Sequence, residues 1–154
     1  MSTSGPLDIL IDQSRRARDS AGRLLAEDQR GSETSAAQLE TLQRYRREYC
    51  QRLQDAMGRG ISAAAMDDYN RFIRSLDGAI ARAREALAQQ QERLAASRDQ
   101  WQQRQRQLSS YNTLAARRAE RERDREQKRE RVQADEMTQN ILARRPRAEG
   151  PNLV

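Results

Sequence analysis

A chain of 154 residues is one domain at most, and 36% hydrophobic against 34% charged residues, with one Phe and one Trp, is too little for a globular core. That composition suits either disorder or a long, thin helical body burying a narrow seam, and the few helix breakers, 7 Gly and 3 Pro, favour the second. Histidine is absent and Cys50 stands alone, so the usual general base, the commonest metal ligand and a supported nucleophile are all missing, and neither enzymatic activity nor a catalytic, metal or cofactor site is expected.

The chain opens on a polar stretch, Met1 to Gly5, without the cationic start and apolar core of a secretory signal. Its longest apolar runs, Ile9 to Ile11 and Ala63 to Met66, fall far short of a membrane span. A single cysteine fits a reducing compartment. A cytoplasmic chain with no direct membrane insertion is therefore expected.

Residues 1–6 are expected to be disordered, and helix one to run over about 7–57. Leu10, Ser14, Ala17, Ala21, Leu24, Asp28 and Gly31 keep a heptad step with weak residues. After Gly31-Ser32 the phase slips, as in a stutter, and Leu39, Leu42, Tyr45, Tyr49, Leu53 and Ala56 carry the seam onward. A turn follows over 58–61, with Ser62 as the N-cap of helix two. Helix two is expected over 62–143, with 144–154 disordered. Its seam steps by threes and fours from Met66, Tyr69, Ile73, Leu76, Ile80 and Ala83 to Leu108, Tyr111 and Ala115, passing Gln90, Ser97, Trp101 and Arg104.

These two seams predict an all-α fold: a single-domain, two-helix antiparallel coiled-coil hairpin. Folding the chain at Arg59 sets Leu10 against Leu108, Ala17 against Trp101, Asp28 against Gln90 and Tyr49 against Tyr69. Large residues then meet large ones, except that Trp101 faces a small one, as interlocking packing requires. Nothing is left to pair with the chain beyond about Leu114, so helix two overhangs helix one by about thirty residues, roughly 45 Å.

The overhang is nearly pure charge. Basic residues number 29, of which Lys128 is the one lysine, and 11 basic against 7 acidic residues lie between Arg117 and Arg147. The acidic residues Glu120, Glu122, Asp124, Glu126 and Glu130 interleave with the arginines, which speaks against nucleic-acid binding and for a solvated helix supported by local charge pairs. Near the turn, Tyr45, Tyr49, Tyr69 and Phe72 gather in one short stretch beside Leu42 and Leu76. Phe72 lies next to the seam rather than on it, so an exposed aromatic patch is expected there as a candidate protein-binding surface.

The segments Gln38-Leu39 through Leu42, Tyr45-Arg46 and Glu48-Tyr49, then Gly58-Arg59-Gly60-Ile61-Ser62 and Tyr69-Asn70-Arg71-Phe72-Ile73 with Leu76-Asp77 and Ile80, resemble the flagellar FliJ family. So do Trp101 and the late Arg/Glu stretch running to Asp135-Glu136. The resemblance implies a small coiled-coil stalk of the flagellar type III protein export apparatus, similar in shape to the gamma subunit of rotary ATPases. Its implied partners are a hexameric flagellar export ATPase, a membrane export-gate protein and export chaperones, and it implies a place at the inner face of the cell membrane at the flagellar base.

By resemblance the gate-binding patch comprises Gln38, Leu42, Tyr45, Tyr49, Phe72, Leu76 and Ala79, with Ala83 where a larger polar residue would be expected. The overhang, with Arg117, Arg118, Arg121, Arg125 and Lys128, would be the part facing the ATPase ring. Two alternatives stay open: a virulence-type secretion stalk, or a chaperone adaptor with no ATPase-ring role.

Overall fold

The structure, a computed structural model, describes residues 5–145. It consists of two helices, α1 (Pro6–Arg59) and α2 (Ala63–Arg144), the latter longer at 82 residues against 54. α1 begins one residue before and ends two residues after the expected 7–57, while α2 begins one residue after and ends one residue after the expected 62–143. The disorder expected of residues 1–4 and 146–154 lies outside the described residues. The chain forms two compact units, one reaching to Leu108 and the other beginning at Ser109.

Local chemistry accounts for the helix ends. Pro6 at the first helical position has no N–H to leave unpaired, and Asp8 accepts a hydrogen bond from the Gly5 N–H at 3.3 Å. At the other end of α1, Gly60 takes φ +86°, the only positive φ among the described residues, and its N–H donates to the Met57 carbonyl at 3.2 Å. Ser62 caps α2 as expected, its Oγ accepting from the Ala65 N–H at 3.2 Å.

Within the first unit the two helices pack against each other as an antiparallel hairpin. The most regular line of covered positions on α1 runs Leu7, Ile11, Ser14, Arg18, Ala21, Leu25, Asp28, Ser32 and Ser35, then Leu39, Leu42, Arg46, Tyr49, Leu53 and Ala56, and Ala17, Gly22, Gly31, Thr41, Gln43 and Cys50 beside it are partly covered too. The line steps by fours and threes without a break. The stutter expected after Gly31 is therefore absent, and Leu10, Leu24 and Tyr45, expected in the seam, are exposed. In each case the neighbour on the C-terminal side, Ile11, Leu25 or Arg46, takes the seam position. A strict seven-residue repeat admits one phase along its whole length, and Ser14, Ala21, Asp28, Leu42 and Tyr49 set it. On α2 the covered positions match expectation through Leu108, except that Gln105 replaces Arg104.

The pairing differs from the one drawn by folding at Arg59. Trp101 lies on Gly22, with Cδ1 and Nε1 3.4 Å from where a Cβ would stand. Gln90 lies against Gly31, Ser97 donates its hydroxyl hydrogen bond to Asp28, and Phe72 packs on Tyr49. The helices are thus displaced by about one turn from the expected register. The reason is local: α1 continues through Gly58 to Arg59, so the chain reverses around Ile61 and not at Arg59.

The buried core is sparse. Among the described residues Ala21, Ala56, Leu76, Ile80 and Leu108 are its apolar members, Ser14 and Ser97 its polar ones, and no side chain is fully enclosed. A two-helix seam shields each residue on one side only, so stability is spread along the hairpin.

Substitution should separate the two turn glycines. Gly60→Ala is expected to destabilise by about 1–3 kcal/mol, because alanine resists that φ. Gly58→Ala, with open space at its Cβ, should stabilise by roughly 0.5–1 kcal/mol, and thermal melts of the two variants will read the difference. At the Trp101 contact, Gly22→Ala should fit and raise the melting temperature. Gly22→Leu should displace the indole, lowering stability by about 1–3 kcal/mol and shifting Trp101 fluorescence.

Candidate protein-binding site

The residues expected to form a patch all lie in the first unit. Tyr49 and Phe72, one from each helix, meet at a ring-centroid distance of 4.2 Å and an interplanar angle of 37°, and the Arg52 guanidinium lies 5.2 Å from the centre of the Tyr49 ring. Tyr45 and Phe72 are 47% and 42% exposed, large for aromatic rings in a folded region. Gln38 is exposed, while Leu42, Tyr49 and Ala79 are half-buried. Leu76 is buried at 7% exposure.

The register creates two unlike flanks. On one, Tyr49, Arg52, Ala65, Asp68, Tyr69 and Phe72 line a hollow near the turn, and Thr34, Ala37, Gln38, Thr41, Leu42 and Ala83 line a second, more apolar one farther along. The residues of both hollows recur every three or four positions on each helix, so they share one face, with Tyr45 and Ala79 on the same face between them. Thr34, Ala37, Thr41, Ala65 and Asp68 were not singled out from the sequence. As small or polar residues they carry no signal until the facing helix is in place.

The opposite flank is charged. Its hollow is lined by Gln43, Arg46, Arg47, Asp77, Ile80, Ala81 and Arg84. Arg46 donates to Asp77 across the helices at 2.5 Å, and this hydrogen bond and the Asp77 charge push the Arg46 pKa up. Both side chains are nearly half exposed, so the pair marks the register more than it stabilises the fold. Cys50 is half-buried, with Sγ 3.8 Å from Arg46 Nη1.

In the second unit the helix from Ser109 is exposed almost throughout; Tyr111 and Ala115 are partly covered. Arg117, Arg118, Arg121, Arg125 and Lys128 are all exposed, and at 3.6 residues per turn they fall on one face. Arg125 pairs with Glu122 at 3.4 Å. The acids that alternate with these cations in sequence stand on the remaining faces.

Among the described residues no group of His, Cys, Asp and Glu could hold a metal ion, and no helix is long and apolar enough to cross a membrane. What the surfaces offer is apolar and aromatic contact on one flank of the hairpin and an array of cations on the second unit, both suited to binding protein.

Known proteins of similar sequence agree with the family features. The chain is 32% identical over 114 residues to the flagellar FliJ protein of Salmonella typhi, covering 74% of this chain and 78% of that one. It is 31% identical over 117 residues to the flagellar FliJ protein of Escherichia coli K12, covering 76% and 80%. A solved structure from Chlamydia trachomatis, described as a homologue of YscO, shares the fold with a TM-score of 0.54 at 15% identity, over 92% of this chain and 93% of that one. The sequence model for the flagellar FliJ protein matches residues 3–147, nearly the whole chain, and the protein therefore belongs to the flagellar FliJ family.

Proposed function

We propose that this protein is a non-catalytic stalk of the flagellar type III export apparatus, promoting assembly and activity of the hexameric export ATPase and coupling it to the membrane export gate. The observation that carries this role is the division of surfaces within a FliJ-family chain. An aromatic flank in the first unit and a cationic helix in the second are chemically unlike, and each is open to a separate partner. In this role the flank around Tyr45, Tyr49 and Phe72 meets the gate, with Gln38, Leu42 and Ala79 extending the contact and Leu76 buried. The helix carrying Arg117, Arg118, Arg121, Arg125 and Lys128 meets the ring. The protein works in the cytoplasm, at the inner face of the membrane at the flagellar base, where export chaperones also reach it.

The direct test is ATP hydrolysis by the cognate export ATPase titrated with the protein. Stimulation that saturates near one chain per ATPase hexamer is expected. Neither stimulation nor co-assembly would instead leave an adaptor that uses the hairpin without a ring. For the aromatic flank, Tyr45→Ala should change stability by no more than about 0.5 kcal/mol, since the ring is half exposed. Phe72→Ala should cost about 1 kcal/mol through loss of the Tyr49 pairing. Both should weaken binding to the purified gate protein by about tenfold or more, as interface aromatics do. Loss of binding only in step with loss of helicity would show the rings to be core.

A further inference from the structure

Sequence order conceals how the charges of the second unit are arranged in space. With 3.6 residues per turn, Arg117, Arg118, Arg121, Arg125, Lys128 and Arg129 occupy about a third of the helix circumference. None of the acids between Leu114 and Val132 falls within that arc. Glu120, Glu122, Asp124, Glu126 and Glu130 share the rest of the surface with the two remaining cations, Arg123 and Arg131. The result is an unbroken cationic stripe with about one charge level per turn, roughly 18 Å long at 1.5 Å per residue. Leu114 and Val132, 47% and 50% exposed, stand in line with it at either end, and Val132 shares a hollow with Arg125, Lys128, Arg129 and Gln133. Beyond Val132 the stripe stops, because Asp135 and Glu136 come next in the same line.

We infer that this stripe is a docking surface for a protein partner that presents a row of carboxylates flanked by apolar contacts. The inference builds on the ring-facing role proposed above and specifies the chemistry its partner must have. Arginine supplies a planar fork matched to carboxylate, and the helical repeat of about 5.4 Å sets the pitch at which those carboxylates must be offered. The acids bordering the stripe restrict the partner to a narrow ridge. A nucleic-acid duplex, whose phosphates spread wider than a third of one helix, would meet Glu122 and Asp124 on the two borders. Leu114 and Val132 also offer apolar ends that phosphates do not use. The Arg125–Glu122 pair is solvent-exposed on both sides and is readily exchanged for a partner carboxylate.

Two double variants with the same net charge test the arrangement: Arg121→Glu with Arg125→Glu on the stripe, and Arg123→Glu with Arg131→Glu off it. Circular dichroism should show equal helicity for both, and neither should lower the melting temperature appreciably, since these side chains are exposed. Binding is measured at low salt to the cognate export ATPase, to poly-L-glutamate and to single- and double-stranded oligonucleotides of matched length. The stripe variant should lose about tenfold or more in affinity for the ATPase and for poly-L-glutamate, while the off-stripe variant stays within about twofold. Equal loss by the two variants would reduce the effect to net charge and overturn the inference, as would no loss by either. Tighter, face-selective binding of the oligonucleotides than of poly-L-glutamate would overturn it in favour of nucleic acid. If the wild-type protein fails to bind the ATPase but binds poly-L-glutamate face-selectively, the ring-facing role falls and the acidic-partner inference stands.

Discussion

The reversal of the chain at Gly60, Ile61 and Ser62 sets every cross-helix contact of the first unit. Gly60 reaches a backbone conformation that a side chain would resist, and the Ser62 hydroxyl then starts α2 at once. With no slack in the connection, the turn limits the registers the two helices can adopt. A reversal placed at Arg59 would have left Trp101 over Ala17 and Asp28 beside Gln90. The actual one gives Trp101 a glycine to lie on and Asp28 a hydroxyl donor in Ser97. An aspartate in a seam must have its hydrogen bonds met, so this pairing penalises any slipped register.

A hairpin of two helices cannot cover its own flanks. In a larger bundle Phe72 and Tyr45 would be buried by a third helix; here they remain nearly half exposed, and the small residues along the same face leave hollows beside them. The same constraint acts on the other flank, where Arg46 and Asp77 occupy the equivalent space and solvate it. Two faces of one seam thus acquire opposite chemistry. The apolar one is the surface on which burial by a partner yields free energy, because its rings lose contact with water.

The second unit obeys a different rule. Its helix draws little support from packing, and its exposed backbone is maintained by helix-favouring residues and by charge pairs three and four positions apart, as between Glu122 and Arg125. Opposite charges at those spacings place acids beside the basic face without entering it. Local helix support and a one-sided charge array therefore come from the same pattern of residues.

The sequence by itself determined the helical class, the hairpin, the Ser62 cap, the α2 seam through Leu108 apart from position 104, and the gathering of aromatics near the turn. Each of these rests on local rules, namely periodicity, capping and the placement of glycine. The tertiary structure alone decided the register, the phase of α1 and the division into flanks. Where two apolar residues adjoin, as at Leu10-Ile11 and Leu24-Leu25, either satisfies the local pattern, and only a facing helix selects between them. Whether α1 ends before Gly58 or after it is likewise invisible locally, since Gly58 is as compatible with the last turn of a helix as with a bend. That choice moves every partner along α2 by about one turn. The burial of Leu76 and the hollow beside Ala37 and Ala83 follow from it, because a cross-helix contact depends on the sum of two positions and not on either alone.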